Sequence, residues 1–240
     1  MTTVRNSIRN SCKQPLDEEY YYIDYGQRCH IVHDRNGIRH CFSCGRLIDP
    51  NIGGSSVVCS DGREFCTICS ENGVNTKEMG AKALDTVYGL FDIAGITCPR
   101  NRISLELNNM FYAEQVLKDK KFYGLTTTTI YAMRNKPNTY LINIITGLHY
   151  EVFLGVLGHE LMHVYIKENN IQLKKIDEEG LCELVCYYIY EARNSKVCDV
   201  KIKNMIESSD PIYGEGFRIM KKRINGLNSW NSFISQGTIQ

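Results

Sequence analysis

The sequence predicts an α+β protein in which a small mixed sheet and a set of helices follow a short cysteine-rich module. Three observations carry this. Residues His159–His163 read HELMH within a largely apolar stretch, so two imidazoles four residues apart share one helix face. Three earlier runs, Arg102–Leu107, Thr126–Ala132 and Thr139–Ile145, are rich in β-branched or aromatic residues and read as strands. Two Cys-x2-Cys pairs, Cys41/Cys44 and Cys66/Cys69, stand near the N-terminal end. The expected layout is a polar tail over 1–15, a zinc-binding module over 16–74 and a larger domain over 75–240.

Length and composition frame these elements. A chain of 240 residues accommodates one sizeable core and one small module. With 28 basic and 27 acidic side chains, no net field points to nucleic acid or to an anionic membrane. The N-terminal residues are polar and lack the apolar run of a secretory signal, and no stretch is long and apolar enough to span a bilayer. Eleven cysteines, an odd number, with four in knuckle spacing, suit metal ligation in a reducing compartment better than a disulfide framework. A cytoplasmic protein is expected, without nucleic-acid or membrane partners.

In the module, Cys41 and Cys44 are separated from Cys66 and Cys69 by 21 residues. Each Cys-x2-Cys presents two sulfurs to one tetrahedral ion, so these four are assigned to a structural zinc. Asp61-Gly62 reads as a hairpin turn, and the module as two short hairpins pinned by metal. Cys59 reads as a packed strand residue. Cys29 and His33, with Cys12 as a further contributor, form half of a second such pattern.

A helix is expected over about 76–93, capped by Asn75 or Thr76. The strand Thr139–Ile145, nearest the metal helix, is taken as the sheet edge on which an extended chain could lie. Within the helix, His159 and His163 grip one metal, and Glu160 accepts a proton from water beside it. Between Lys136 and Lys167 the only carboxylates are Glu151 and Glu160, and a buried lone glutamate needs a reason.

A catalytic zinc takes three protein ligands. Glu179, sixteen residues past His163, is assigned as the third, with Glu178 as the alternative. Glu183, four residues on, holds a ligand histidine in its working tautomer. Cys182 and Cys186 read as packing residues. Ser209 or Asp210, followed by Pro211, starts a helix bearing Tyr213 and Arg218. Tyr213 reads equally as a packing residue or as an oxyanion donor, and Arg218 as a structural charge or a partner for a carboxylate. Trp230 and Phe233 read as core residues of the last helix.

CFSCGRLI followed by DGREFCTIC resembles the second zinc half of a LIM domain. Together with Cys29-x3-His33, HELMH, EEGLCE and PIYGEGFR, in that order, it resembles the LIM-containing peptidases of the plant growth regulator "DA-one" and its bacterial relatives. The resemblance runs from about Cys29 to the C-terminus. It implies a zincin-like metallopeptidase that cuts proteins, with one catalytic zinc, one or two structural zincs, and a LIM-like portion that engages a protein partner or serves as scaffold. His159, His163 and Glu179 would be the ligands and Glu160 the base. EEG and YGEGF also resemble the corresponding pieces of aminopeptidase-type gluzincins, which implies that Tyr213 stabilises the oxyanion. Plant members carry ubiquitin-interacting helices and a full LIM domain ahead of this region; neither is expected within these 240 residues, so activation by ubiquitin is not expected. A peptidase for short peptides and a non-catalytic zinc-stabilised interaction module are the alternatives.

Overall fold

A computed structural model describes residues 20–30, 39–48, 56–112, 115, 123–131, 136–225 and 227–236. The chain divides into two compact units, 1–73 with 147–149, and 74–146 with 150–240. The expected tail over 1–15 and His33 lie outside the described residues.

The first unit contains three antiparallel hairpins among its described residues, one more than the sequence led us to expect. They are β1 (Tyr20–Ile23) with β2 (Gln27–His30), β3 (Arg39–His40) with β4 (Leu47–Ile48), and β5 (Ser56–Val58) with β6 (Glu64–Cys66). Helix α1 (Thr67–Asn72) follows directly. Asp61-Gly62 does turn the last hairpin, Gly62 taking the left-handed φ of 81° that favours glycine. Arg63 is buried there, ion-paired to Asp61 at 2.8 Å and lying 5.3 Å from the centres of the Phe42 and Phe65 rings. Cys59 is a correction to the strand reading: its amide closes the turn on Arg63 O, and the side chain is only half-buried.

In the second unit, α2 (Lys77–Ile93) starts at Thr76, whose Oγ1 accepts from Met79 N. Strands β7 (Ile103–Asn108), β8 (Gly124–Thr129) and β9 (Thr139–Ile145) form one mixed sheet in the order β7-β9-β8. β9 runs parallel to β7 and antiparallel to β8. The expectation that Thr139–Ile145 forms the edge is therefore corrected: β9 is central and, among the described residues, β8 is an edge. The physical reason stands in the sequence, since YLINII is nearly continuous in apolar residues, the mark of a strand buried on both faces.

Five longer helices follow the sheet among the described residues: α3 (Tyr150–Glu168), α4 (Lys175–Arg193), α5 (Lys196–Glu207), α6 (Tyr213–Arg223) and α7 (Leu227–Gln236). α3 is apolar nearly all round and is buried along most of its length, as a central helix must be. α5 has no counterpart in the sequence reading. Asp210 Oδ1 accepts from Ile212 N and Tyr213 N at 2.8 Å, so it organises the start of α6 two residues later than expected. Trp230 and Phe233 are buried, Trp230 Nε1 donating to Ala94 O at the end of α2. Among the described residues no helix is long and apolar enough to cross a membrane.

Glycines set the helix spacing. A Cβ on Gly155 would stand 2.3 Å from the Tyr190 ring, and one on Gly158 would stand 2.1 Å from Ile189 Cδ1, so α3 and α4 approach closely. The contact of α4 with α6 is less forgiving, because a Cβ on Gly180 would lie 2.2 Å from the backbone oxygen of Gly216. Backbone cannot rotate away as a side chain can. Gly180→Ala is thus expected to cost about 1–3 kcal/mol through overpacking, read as a lower urea midpoint. An unchanged midpoint would show that the two helices separate without strain.

Candidate metal centre

α3 and α4 form an antiparallel pair joined by six residues, Asn169–Lys174. His163 stands five residues before the end of α3, and Glu179 four residues after the start of α4. Being nearly equidistant from the turn, they face one another. His159, one turn earlier on α3, faces Glu183, one turn later on α4. The antiparallel register thus explains why sixteen residues separate the second histidine from Glu179.

The donor atoms converge. His159 Nε2 and His163 Nε2 are 3.2 Å apart, and Glu179 Oε2 lies 3.3 Å from the first and 3.6 Å from the second. Bonds of about 2.0–2.1 Å to a tetrahedral ion place ligand atoms about 3.3 Å from one another. Glu179 Oε2 is also buried without a hydrogen-bond partner, an atom whose burial makes sense if a cation meets it. The three residues fit a zinc ion.

Outer carboxylates orient both rings. Glu183 Oε1 accepts from His159 Nδ1 at 3.1 Å, and Glu178 Oε1 from His163 Nδ1 at 3.0 Å. Each leaves Nε2 as the lone-pair donor. Glu183 thus stands where a tautomer-fixing partner is needed. Glu178, read as the alternative ligand, instead takes the matching place on the other histidine.

Electrostatics agree with a cation site. Burial opposes charge on both imidazoles, but the carboxylates bonded to them, Glu179 and Glu183 on His159 and Glu178 and Glu179 on His163, overcome it and hold both well above the usual histidine value. Burial likewise opposes the Glu179 charge, and the facing imidazoles hold its carboxyl down at about 2. Cys182 is more than a packing residue. It lies on the same face of α4 as Glu179 and Glu183, with Sγ within 4.8 Å of a nitrogen of each histidine. Burial raises its thiol pKa, so it stays protonated and is a weak ligand beside Glu179.

Glu160 points from α3 towards β8. It is buried, and Thr126 Oγ1 donates to its Oε2 at 2.7 Å. Tyr213, at the first position of α6, places its ring centre 6.3 Å from that of His159. Partial burial, reinforced by Glu179 and Glu183, raises its pKa, so the phenol keeps its proton and can donate. Arg218 pairs with Glu215 and donates to Ser208 O at 2.7 Å, which makes it a brace at the start of α6. Thr126, His159, Glu160, His163, Glu178, Glu179, Glu183 and Tyr213 line one cleft of about 970 Å³, walled also by Val156, Lys201 and Met205. Its volume is that of a ligand-binding cleft, at the upper end of the about 300–1,000 Å³ range.

The first unit holds a separate cluster. Cys41 and Cys44 come from the turn after β3, Cys66 from the end of β6 and Cys69 from α1. All four thiols are buried, with their sulfurs within 4.8 Å of one another. Cys44 and Cys66 are 3.8 Å apart, the separation expected of sulfurs about 2.3 Å from a tetrahedral ion. Hydrogen bonds from Cys44, Cys66 and Cys69 pull the Cys41 thiol far below its usual value, so a thiolate forms readily. The cluster could hold a metal ion and suits zinc. Cys29 lies on β2, but its side chain and the whole of His33 fall outside the described residues.

Sequence reasoning missed Gly124, Thr126, Glu178 in its tautomer-fixing place, and Cys182 as a neighbour of the histidines. The helical spacing of Glu179, Cys182, Glu183 and Cys186 was the available signal for the last of these. Residues 106–210 match the family model described as DA1-like: Protein DA1. The match takes in both site helices and ends before Tyr213. No curated protein and no solved structure matches the chain.

Proposed function

We propose that this chain, DA1-related over residues 106–210, is a zincin-like endopeptidase that hydrolyses peptide bonds in proteins. The observation that carries this reading is the convergence of His159 Nε2, His163 Nε2 and Glu179 Oε2, 3.2–3.6 Å apart, on a cleft that also holds Glu160 and Tyr213. Zinc held by His159, His163 and Glu179 would supply a Lewis acid for the scissile carbonyl and lower the pKa of its water towards about 7. Glu160 takes the proton from attacking water at its carboxylate and passes it to the leaving amine. Tyr213 donates its phenolic proton to the oxygen that gains charge.

β8 is the natural place for substrate. It is an edge strand that lines the cleft, and it carries neither proline nor charge to block pairing by a further strand. An extended chain laid on it runs past Glu160, which favours segments of proteins over very short peptides. The cysteine cluster supports a LIM-like module that engages a protein partner or stiffens the first unit. The free state of the described cysteines suits a reducing, cytoplasmic setting. The non-catalytic reading is favoured by one observation, the approach of Cys182 to both histidines as a fourth donor.

The test is incubation of the zinc-loaded chain with an unfolded protein and with short peptides, products being read by mass spectrometry. Cleavage of the protein, abolished by a chelator and restored by zinc, is expected. Tyr213→Phe should keep its zinc and lose about 10²–10³-fold in kcat, and an unchanged kcat would return Tyr213 to a packing role. No cleavage by the loaded wild type, together with zinc loss in Cys182→Ala, would establish the closed, non-catalytic site.

A further inference from the structure

We propose that Thr126, on the edge strand β8, is a positioning residue for Glu160, and that Gly124 is glycine to make room for the same carboxylate. The proposal rests on the peptidase reading and assigns a part of its machinery that the metal-binding motif does not contain.

The geometry is specific. Along β8 burial alternates, with Gly124, Thr126 and Thr128 half-buried towards the cleft side and Leu125, Thr127 and Thr129 exposed. Thr126 Oγ1 lies 2.7 Å from Glu160 Oε2 and 3.1 Å from the backbone oxygen of Glu160. Its single proton meets two acceptors of one residue, with the shorter contact to the carboxylate. A β-branched side chain on a strand has little χ1 freedom, so the hydroxyl is held in place before substrate arrives.

The other carboxylate oxygen is accommodated by an absence. A Cβ on residue 124 would lie 2.7 Å from Glu160 Oε1 and 2.8 Å from Val156 Cγ1. Glycine inside a strand weakens it, and a close approach is the usual reason for one. Two residues of one strand thus hold the two oxygens of Glu160: Thr126 binds Oε2, and Gly124 leaves the space in which Oε1 can take a proton. The outer edge of that strand is also where substrate would pair. Base and substrate are therefore registered against the same rigid element, which general-base catalysis requires to within a few tenths of an ångström.

The experiment compares wild type, Thr126→Val and Thr126→Ser for kcat and KM on the cleaved protein, zinc content, melting temperature and crystal structure. Valine keeps the shape and removes the hydroxyl. Thr126→Val should keep its zinc and fold, lose about 10–100-fold in kcat, the cost of losing an outer-shell partner, and show the Glu160 carboxylate rotated from its place over Gly124. KM should stay within about twofold, as for an interaction that acts on the chemical step. Thr126→Ser should recover most of kcat and the wild-type position of Glu160. If valine prevents folding, Thr126→Ala, which adds no methyl beside the carboxylate, reads the same quantities. An unmoved Glu160 with unchanged kcat in the hydroxyl-free variant overturns the proposal and leaves the peptidase reading standing, as does a Thr126→Ser as slow as Thr126→Val. A wild type that cuts nothing removes both.

Discussion

Glu160→Gln should retain its zinc and its fold while cleavage falls by about 10²–10⁴-fold, the contribution of a positioned general base. The substitution is nearly isosteric, and the space over Gly124 and the hydrogen bond from Thr126 both survive it, because an amide oxygen accepts from Oγ1 as a carboxylate oxygen does. What is lost is basicity alone. None of the three atoms that converge on the metal position belongs to residue 160. Metal content by elemental analysis, melting temperature and steady-state rates on one protein substrate make the test. A variant that still cuts at the wild-type rate would take Glu160 out of the mechanism, and one that loses zinc would make it a structural element of the site.

Much of the candidate site was legible because it is written at helical spacing. His159 and His163, then Glu179 and Glu183, are each pairs four apart, and a pair on one helix face needs no knowledge of the fold. The pairing of the two faces was not written in this way. It depends on where the α3–α4 turn falls, and that turn alone decides that Glu178 reaches His163 while Glu183 reaches His159.

Thr126 was invisible for the same reason. Nothing in GLTTTT marks one threonine of four, and only the pairing of β8 with β9 beside α3 brings Oγ1 to Glu160. Gly124 stands two residues ahead of the expected strand, which starts at Thr126. Here it lies inside a strand and is explained by a side chain thirty-six positions away. The misplaced edge has a different origin: the strand adjoins the metal helix in sequence, but the apolar run of Tyr140–Ile145 is that of a central strand. The glycines of EEG and YGEG are the opposite case. Their chemistry-free positions have a packing cause, since Gly180 and Gly216 meet backbone to backbone and so hold Tyr213 near the histidines.

Glu179→Ala should release the metal of the histidine site and leave the cysteine cluster loaded, so the chain loses one zinc ion. The carboxylate is the only donor from α4 that faces both Nε2 atoms with an ionised oxygen, and the protonated Cys182 thiol is a poor substitute. Loss of affinity should exceed that in Glu178→Gln or Glu183→Gln, where only the hydrogen bond to an Nδ1 weakens and about 10–100-fold is expected. Cys66→Ser provides the converse, losing the cluster metal and keeping the other.

Acidity enters with a definite sign. In the metal-free chain both histidines are held above the ordinary 6.5, so their ion pairs stabilise the fold fully below that value and the stabilisation fades as pH rises through the raised values. Zinc requires the same imidazoles neutral. Its uptake therefore expels protons, and its apparent affinity at the histidine site should climb with pH through neutrality. Glu179→Ala weakens this coupling along with the binding. Elemental analysis at several pH values on wild type, Glu179→Ala and Cys66→Ser separates the two sites. Retention of both metals by Glu179→Ala at neutral pH would mean that Cys182 has taken the third position, and with it the closed, non-catalytic site would become the better account of this cleft.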